Sequence, residues 1–145
     1  MLWNETRPPV GAHRLSVRHE ANRAELTALI ADYLELMWNR GRTDLAARFV
    51  ACGLVEHCPS LPDGRRALVD LIHGVRQRFP DARFELRRIA ADGDLVFAHS
   101  LFTTGPGDRG VAVADVFRID YGLIVEHWQV RERVPEVTVG THPVI

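Results

Sequence analysis

The chain has 145 residues, 46% of them hydrophobic and 26% charged, enough apolar material for one folded domain with its own core. A formal net charge of −1 gives none of the basic excess that marks partners of nucleic acid or anionic membranes, so neither is expected as a partner. No apolar run is long enough to span a bilayer, and the opening MLWNETRPPVGAHR lacks the apolar core of a secretory signal, so a cytoplasmic protein is expected.

Residues 1 to about 18 hold Pro8, Pro9, Gly11 and scattered charges without periodicity, and read as an N-terminal arm. From about Glu20 to Asn39, Leu26, Leu29, Ile30, Tyr33, Leu34, Met37 and Trp38 keep helical spacing, with Gly41 as a stop. A short helix from Thr43 or Asp44 to about Ala51 follows, then an extended VEHCP ended by Pro59 and a turn at SLPDGR. Cys52 and Cys58, six apart in an extended segment, would lie roughly 20 Å apart at ~3.3 Å per residue, which favours free thiols. Ala67, Leu68, Leu71, Ile72, Val75 and Phe79 predict a helix from about Arg65 to Phe79, closed by Pro80.

The rest reads as β structure. Strands at about 83–91, 95–104, 110–120 and 123–133 are separated by the turns DGD, GPGDRG and DYGL, each with a glycine. Three hairpins in series make an antiparallel meander, and helices followed by such a sheet make an α+β domain with the helices on one concave face. That domain spans 19–135, with 136–145 as a C-terminal tail.

One residue does not fit this pattern. Along VAVADVFRID the apolar face Val111, Val113, Phe117 and Ile119 also carries Asp115, and an ionised carboxylate on a buried face needs a partner or a function. On LVFAHSLFTT the face with Leu95, Phe97, Leu101 and Thr103 carries a second titratable group, His99. Pairing Thr104 with Gly110 sets His99 opposite Asp115 with Cβ atoms ~5 Å apart, whereas a one-residue slip puts them on opposite faces. The first register is preferred because it lets the two polar residues meet. Pairing Asp120 with Leu123 sets Asp115 opposite Trp128, with His127 pointing away unless a bulge intervenes.

Two explanations of this cluster stay open: a buried Asp–His pair that satisfies itself, and a pocket in which Asp115 moves protons. His57, just before a turn, is a third candidate at the pocket rim. There is no HxH, HExxH or paired CxxC, so no metal site is expected, and GPGDRG lacks the following helix of a phosphate-binding loop.

The runs HCPSLPDGRRALVDLI, FPDARFELRRIAADGDLVFAHSLFT, GDRGVAVADVFRID and GLIVEHWQV together resemble the SnoaL-like branch of the nuclear transport factor 2-like superfamily, over about Ala24 to Pro135. The resemblance implies a cone-shaped fold, with N-terminal helices packed on a strongly curved antiparallel sheet around an apolar pocket, commonly dimerising through the sheet. Relatives include polyketide cyclases, ketosteroid isomerase, scytalone dehydratase and limonene epoxide hydrolase, and also members without catalysis. For the cyclases it implies an acid/base aspartate at Asp115 with a histidine, His99, nearby. This chain has His57-Cys58-Pro59 where relatives often have HNP, and Gln129 where many have an acid, which would remove an outer-face carboxylate.

Acid/base catalysis without cofactor or metal, on a small hydrophobic carbonyl compound, is therefore the leading expectation. Asp115, His99 and His57 would be catalytic, and Tyr33, Trp38, Phe97, Phe117 and Trp128 would shape the pocket. The alternative is a non-catalytic ligand-binding or scaffold protein using the same pocket. With Ala112, Ala114, Val116, Val125 and His127 facing outward, the sheet's outer surface is expected to pair in a homodimer.

Overall fold

The computed structural model describes the backbone of residues 10–145 and the side chains of residues 22–145. The apolar stripe from Leu26 to Trp38 forms the expected helix, but α1 (Val10–Tyr33) begins well before Glu20. The expected arm is thus helical backbone from Val10 onward, and its residues 1–9 lie outside the described residues.

Leu34–Asn39 continue α1 as a π-helical segment, with Arg40 N–H donating to Glu35 O at 3.0 Å. Two side chains hold this unusual winding in place. Asn39 clamps the backbone of Phe84, donating from Nδ2 to its carbonyl (2.9 Å) and accepting its N–H at Oδ1 (2.7 Å). Arg76 donates from Nη1 to the Trp38 and Asn39 carbonyls, which the helix end leaves without partners. After a 3₁₀ turn come α2 (Ala46–Phe49), β1 (Val50–Glu56), α3 (Arg65–Arg78), β2 (Arg83–Asp92), β3 (Leu95–Thr103), β4 (Val111–Asp120) and β5 (Leu123–Arg133).

The sheet runs β1-β5-β4-β3-β2. Strands β2 to β5 make the expected antiparallel meander, and β1 joins β5 in parallel, so the sheet is mixed. The helices lie on its concave face, an α+β arrangement. Between the layers Ile30, Met37, Val50, Ile72, Val96, Val113, Phe117 and Ile124 are fully buried. Among the described residues no helix is long and apolar enough to cross a membrane.

Two local features change the expected register. Strands β3 and β4 pair Ala98 with Asp115 and His99 with Ala114, one residue off the expected alignment. A one-residue slip turns a whole strand over. Val96, Ala98 and Ser100 are therefore the buried side of β3, and Leu95, Phe97, His99, Leu101 and Thr103 face outward. The cause lies in GPGDRG, which Asp108 closes from within: its Oδ2 accepts from Thr104 N–H (2.8 Å) and Oγ1 (2.9 Å), its Oδ1 from Gly110 N–H (3.0 Å).

Gly110 completes the closure at φ +83°, where an added Cβ would stand 2.5 Å from the Phe102 carbonyl oxygen. Gly110→Ala is expected to destabilise the fold by about 1–3 kcal/mol, since both the backbone region and the space exclude a side chain. Urea unfolding should show a lower midpoint at unchanged slope. A wild-type midpoint would mean that the loop does not set this register.

The second feature is a bulge in β5. Asp120 pairs with Leu123 as expected and Ile119 with Ile124, but Arg118 then meets Glu126, leaving Val125 as the extra residue. Beyond it Asp115 faces Gln129 and Val116 faces Trp128. His127 consequently turns into the concave face and Trp128 to the outer one, the reverse of the expected arrangement.

Candidate functional site

Asp115 does lie on the inner face, with its side chain 2% exposed, but its partner is not His99. His127 Nε2 stands 2.8 Å from Asp115 Oδ1, and His127 Nδ1 stands 2.8 Å from Glu56 Oε2. The parallel pairing of Glu56 with His127 brings β1 to this position, and the Glu56 side chain is 3% exposed. Gln129 donates from Nε2 to Asp115 Oδ1 (2.9 Å), the Cys58 N–H donates to Glu56 Oε1 (2.9 Å), and Phe117 stacks on the imidazole at 4.8 Å.

The imidazole between two carboxylates is charged at neutral pH. Burial alone would favour its neutral form, but the hydrogen bonds to Asp115 and Glu56, with their charges, outweigh burial and push the His127 pKa up from 6.5 to about 9. Both ring N–H groups then donate, one to each carboxylate. Both polar contacts of Asp115 fall on Oδ1. No hydrogen bond falls on Asp115 Oδ2 among the described residues, and Asp115 lines the space beside it.

That space is a cavity of about 390 Å³. Its walls are mostly apolar, with Tyr33, Leu34, Trp38, Leu68, Leu71, Val75, Phe84, Phe102 and Phe117 around Glu56, Asp115, His127 and Gln129, and Arg131 and Arg133 further along β5. Trp38 Nε1 donates to Tyr33 Oη at 3.0 Å, across five residues of the π-helical segment. Burial holds the Tyr33 hydroxyl pKa far above the usual tyrosine range; the Trp38 hydrogen bond opposes this and the charges of Asp115 and Glu56 add to it. Tyr33 is therefore a neutral phenol whose own O–H is available to a ligand.

Of the residues expected to form the site, Asp115, Tyr33, Trp38 and Phe117 line this cavity together, and His99, His57, Phe97 and Trp128 do not. His99 faces outward and lies 3.1 Å from Arg88 Nη1 through Nδ1. His57 alternates with the inward Glu56, stacks on Trp128 at 4.7 Å, and binds Glu126 Oε1 through Nε2 at 2.7 Å. Arg118 covers the same indole at 5.7 Å, and Phe97 is 44% exposed on that face. Gln129, expected on the outer face, points inward at Asp115. Cys52 is exposed and Cys58 buried, both free thiols.

The site residues that the sequence pattern did not reveal are Glu56, His127, Gln129 and the two arginines. Glu56 was within reach: Leu54 is 2% exposed and Val55 43%, so simple alternation carries Glu56 inward and His57 outward. His127 depended on the bulge.

The family model described as the SnoaL-like domain matches residues 30–127. No curated protein sequence matches the chain. Among solved structures the fold is similar to TsrD of Streptomyces laurentii, at 20% identity and a TM-score of 0.64 over 75% of this chain and 89% of that one. It is similar to a SnoaL-like polyketide cyclase of Agrobacterium tumefaciens, at 18% identity and a TM-score of 0.61 over 72% and 88% of the two chains. A protein of the same organism, provisionally named an isomerase of the SnoaL-like family, aligns at 21% identity and a TM-score of 0.65 over 75% of this chain and 98% of its own. With two thirds of its length matched to that model and the fold shared with these structures, the chain belongs to the SnoaL-like family.

Proposed function

We propose that this protein is a cofactor-independent acid/base catalyst acting on a small, largely apolar carbonyl compound. The observation that carries the reading is Asp115 lining an apolar cavity with no hydrogen bond on its Oδ2, beside a charged His127 that occupies only Oδ1. In this scheme Oδ2 takes a proton from the carbon next to the substrate carbonyl, which leaves an enolate. The Tyr33 hydroxyl, polarised by the Trp38 hydrogen bond, donates to the enolate oxygen, and Asp115 returns the proton to carbon. The cyclase and isomerase names of structural relatives accord with enolate chemistry. Exchange of protons next to a carbonyl for deuterium, followed by NMR across apolar ketones and esters, tests it: catalysed exchange supports the reading, and its absence across the set removes it.

A non-catalytic ligand-binding role is the second reading, favoured by the way His127 already satisfies Asp115 and Glu56. It predicts tight binding of apolar carbonyl compounds without exchange.

The outer face supports a further proposal, a homodimer. Phe97 pairs with Val116 and Val116 with Trp128, and Val130, 73% exposed, lies two residues further along the same face of β5. A contiguous patch of this kind favours a second copy in a two-fold arrangement. His127, expected at that interface, is not part of it. Light scattering at micromolar concentration should give twice the 16.3 kDa chain mass, and Val116→Glu should shift it to the monomer. A wild-type monomer would remove the dimer.

A further inference from the structure

The cavity has a charge gradient that the proposed chemistry does not use. At one end the two carboxylates, Glu56 and Asp115, face each other across His127; at the other, Arg131 and Arg133 line the same cavity. Arg131 and Arg133 are the arginines that line this cavity, and neither has a carboxylate partner within ion-pair distance among the described residues. Asp108 lies close enough to Arg133 to feel its charge. Its carboxyl is held low first by the Thr104 and Gly110 hydrogen bonds, and the Arg133 charge adds only to these. Two guanidiniums without ion-pair partners on an apolar wall present a place for an anion, because a guanidinium binds a carboxylate through directed, charge-assisted hydrogen bonds.

We propose that the cavity takes amphipathic oxo acids, with the carbonyl body directed at Asp115 and a carboxylate held by Arg131 and Arg133. The inference rests on the reading of this cavity as the ligand site, and it adds orientation. Gln129, Arg131 and Arg133 follow one another on the inner face of β5 at steps of roughly 7 Å. The carboxylate would thus stand roughly 7–13 Å from Asp115. The reverse orientation would drive an anion against Glu56 and Asp115, so the gradient selects which carbon meets Oδ2.

6-(2-Naphthoyl)hexanoate and its methyl ester form a matched probe pair, since both carry the same aromatic ketone, the chain is long enough to span from Asp115 to the arginines, and only one carries the anion. Calorimetric titration should show the acid bound about tenfold more tightly than the ester, the factor expected of a charge-assisted contact at a partly wet site. Added salt should weaken the acid alone. In the double variant Arg131→Gln with Arg133→Gln, both positions being exposed, the acid should fall to the affinity of the ester while the ester is unchanged; lysine at both positions should restore part of the preference. Equal affinities in the wild type, equal losses for both probes in the variant, or no binding of the acid up to about 1 mM would overturn the inference. Deuterium exchange reports separately: acid-selective binding without exchange keeps this inference and removes the catalytic reading, and exchange without acid selectivity does the reverse.

Discussion

Asp115→Asn is expected to slow deuterium exchange next to the carbonyl of a bound ketone by ~10²- to 10⁴-fold, the contribution typical of a positioned general base. Asparagine has the same size and keeps an oxygen to accept from His127 Nε2 and Gln129 Nε2, so the hydrogen bonds at Oδ1 can survive. The atom lost is Oδ2, replaced by an amide nitrogen that cannot take a proton from carbon. The variant should therefore keep its affinity for the ketone to within a small factor while losing exchange. Tyr33→Phe should lose less, because it removes one donor to the developing enolate and leaves the base in place. Near-wild-type exchange by Asp115→Asn, with folding and ligand affinity unchanged, would remove Asp115 as the base.

The fold and the site were legible in the sequence to different depths, for physical reasons. Helices and strands follow from periodicity, and the stripe Leu26 to Trp38 and the alternation Val111 to Ile119 are long enough to fix element type and face. The anomaly at Asp115 was visible for the same reason. Its partners were not, since contact across strands depends on register, and register was decided by features that periodicity does not encode. One was Asp108 closing its own loop, and the other a single extra residue at Val125. Each moved a histidine through the sheet, His99 out and His127 in. The exchange of one histidine for the other leaves an Asp–His pair on the inner face, with His127 in the place expected of His99 and Glu56 added on its far side.

His127 also makes the largest stability prediction. His127→Phe should destabilise the fold by about 3–5 kcal/mol, because removing one member of a buried ionic cluster leaves the others uncompensated, here the Glu56 and Asp115 carboxylates. The ring itself is no obstacle, since Phe117 already packs flat against the imidazole and would pack against a phenyl group. The loss is electrostatic, which pH tests independently of mutation. The His127 pKa is 6.5 when exposed and about 9 in the fold, so between these values the folded chain binds the proton more tightly than the unfolded one. The contribution is then fully present below pH 6.5 and is lost as pH rises through about 9. Each pH unit between the two values removes ~1.4 kcal/mol, on the order of 3 kcal/mol in total. Urea midpoints should fall over that window in the wild type and stay flat over it in His127→Phe. Adding Glu56→Gln to His127→Phe should recover part of the loss by removing one of the stranded charges. A wild-type midpoint that does not move between pH 6.5 and 9, or a His127→Phe variant as stable as the parent, would mean that His127 is not the cation holding the two acids together.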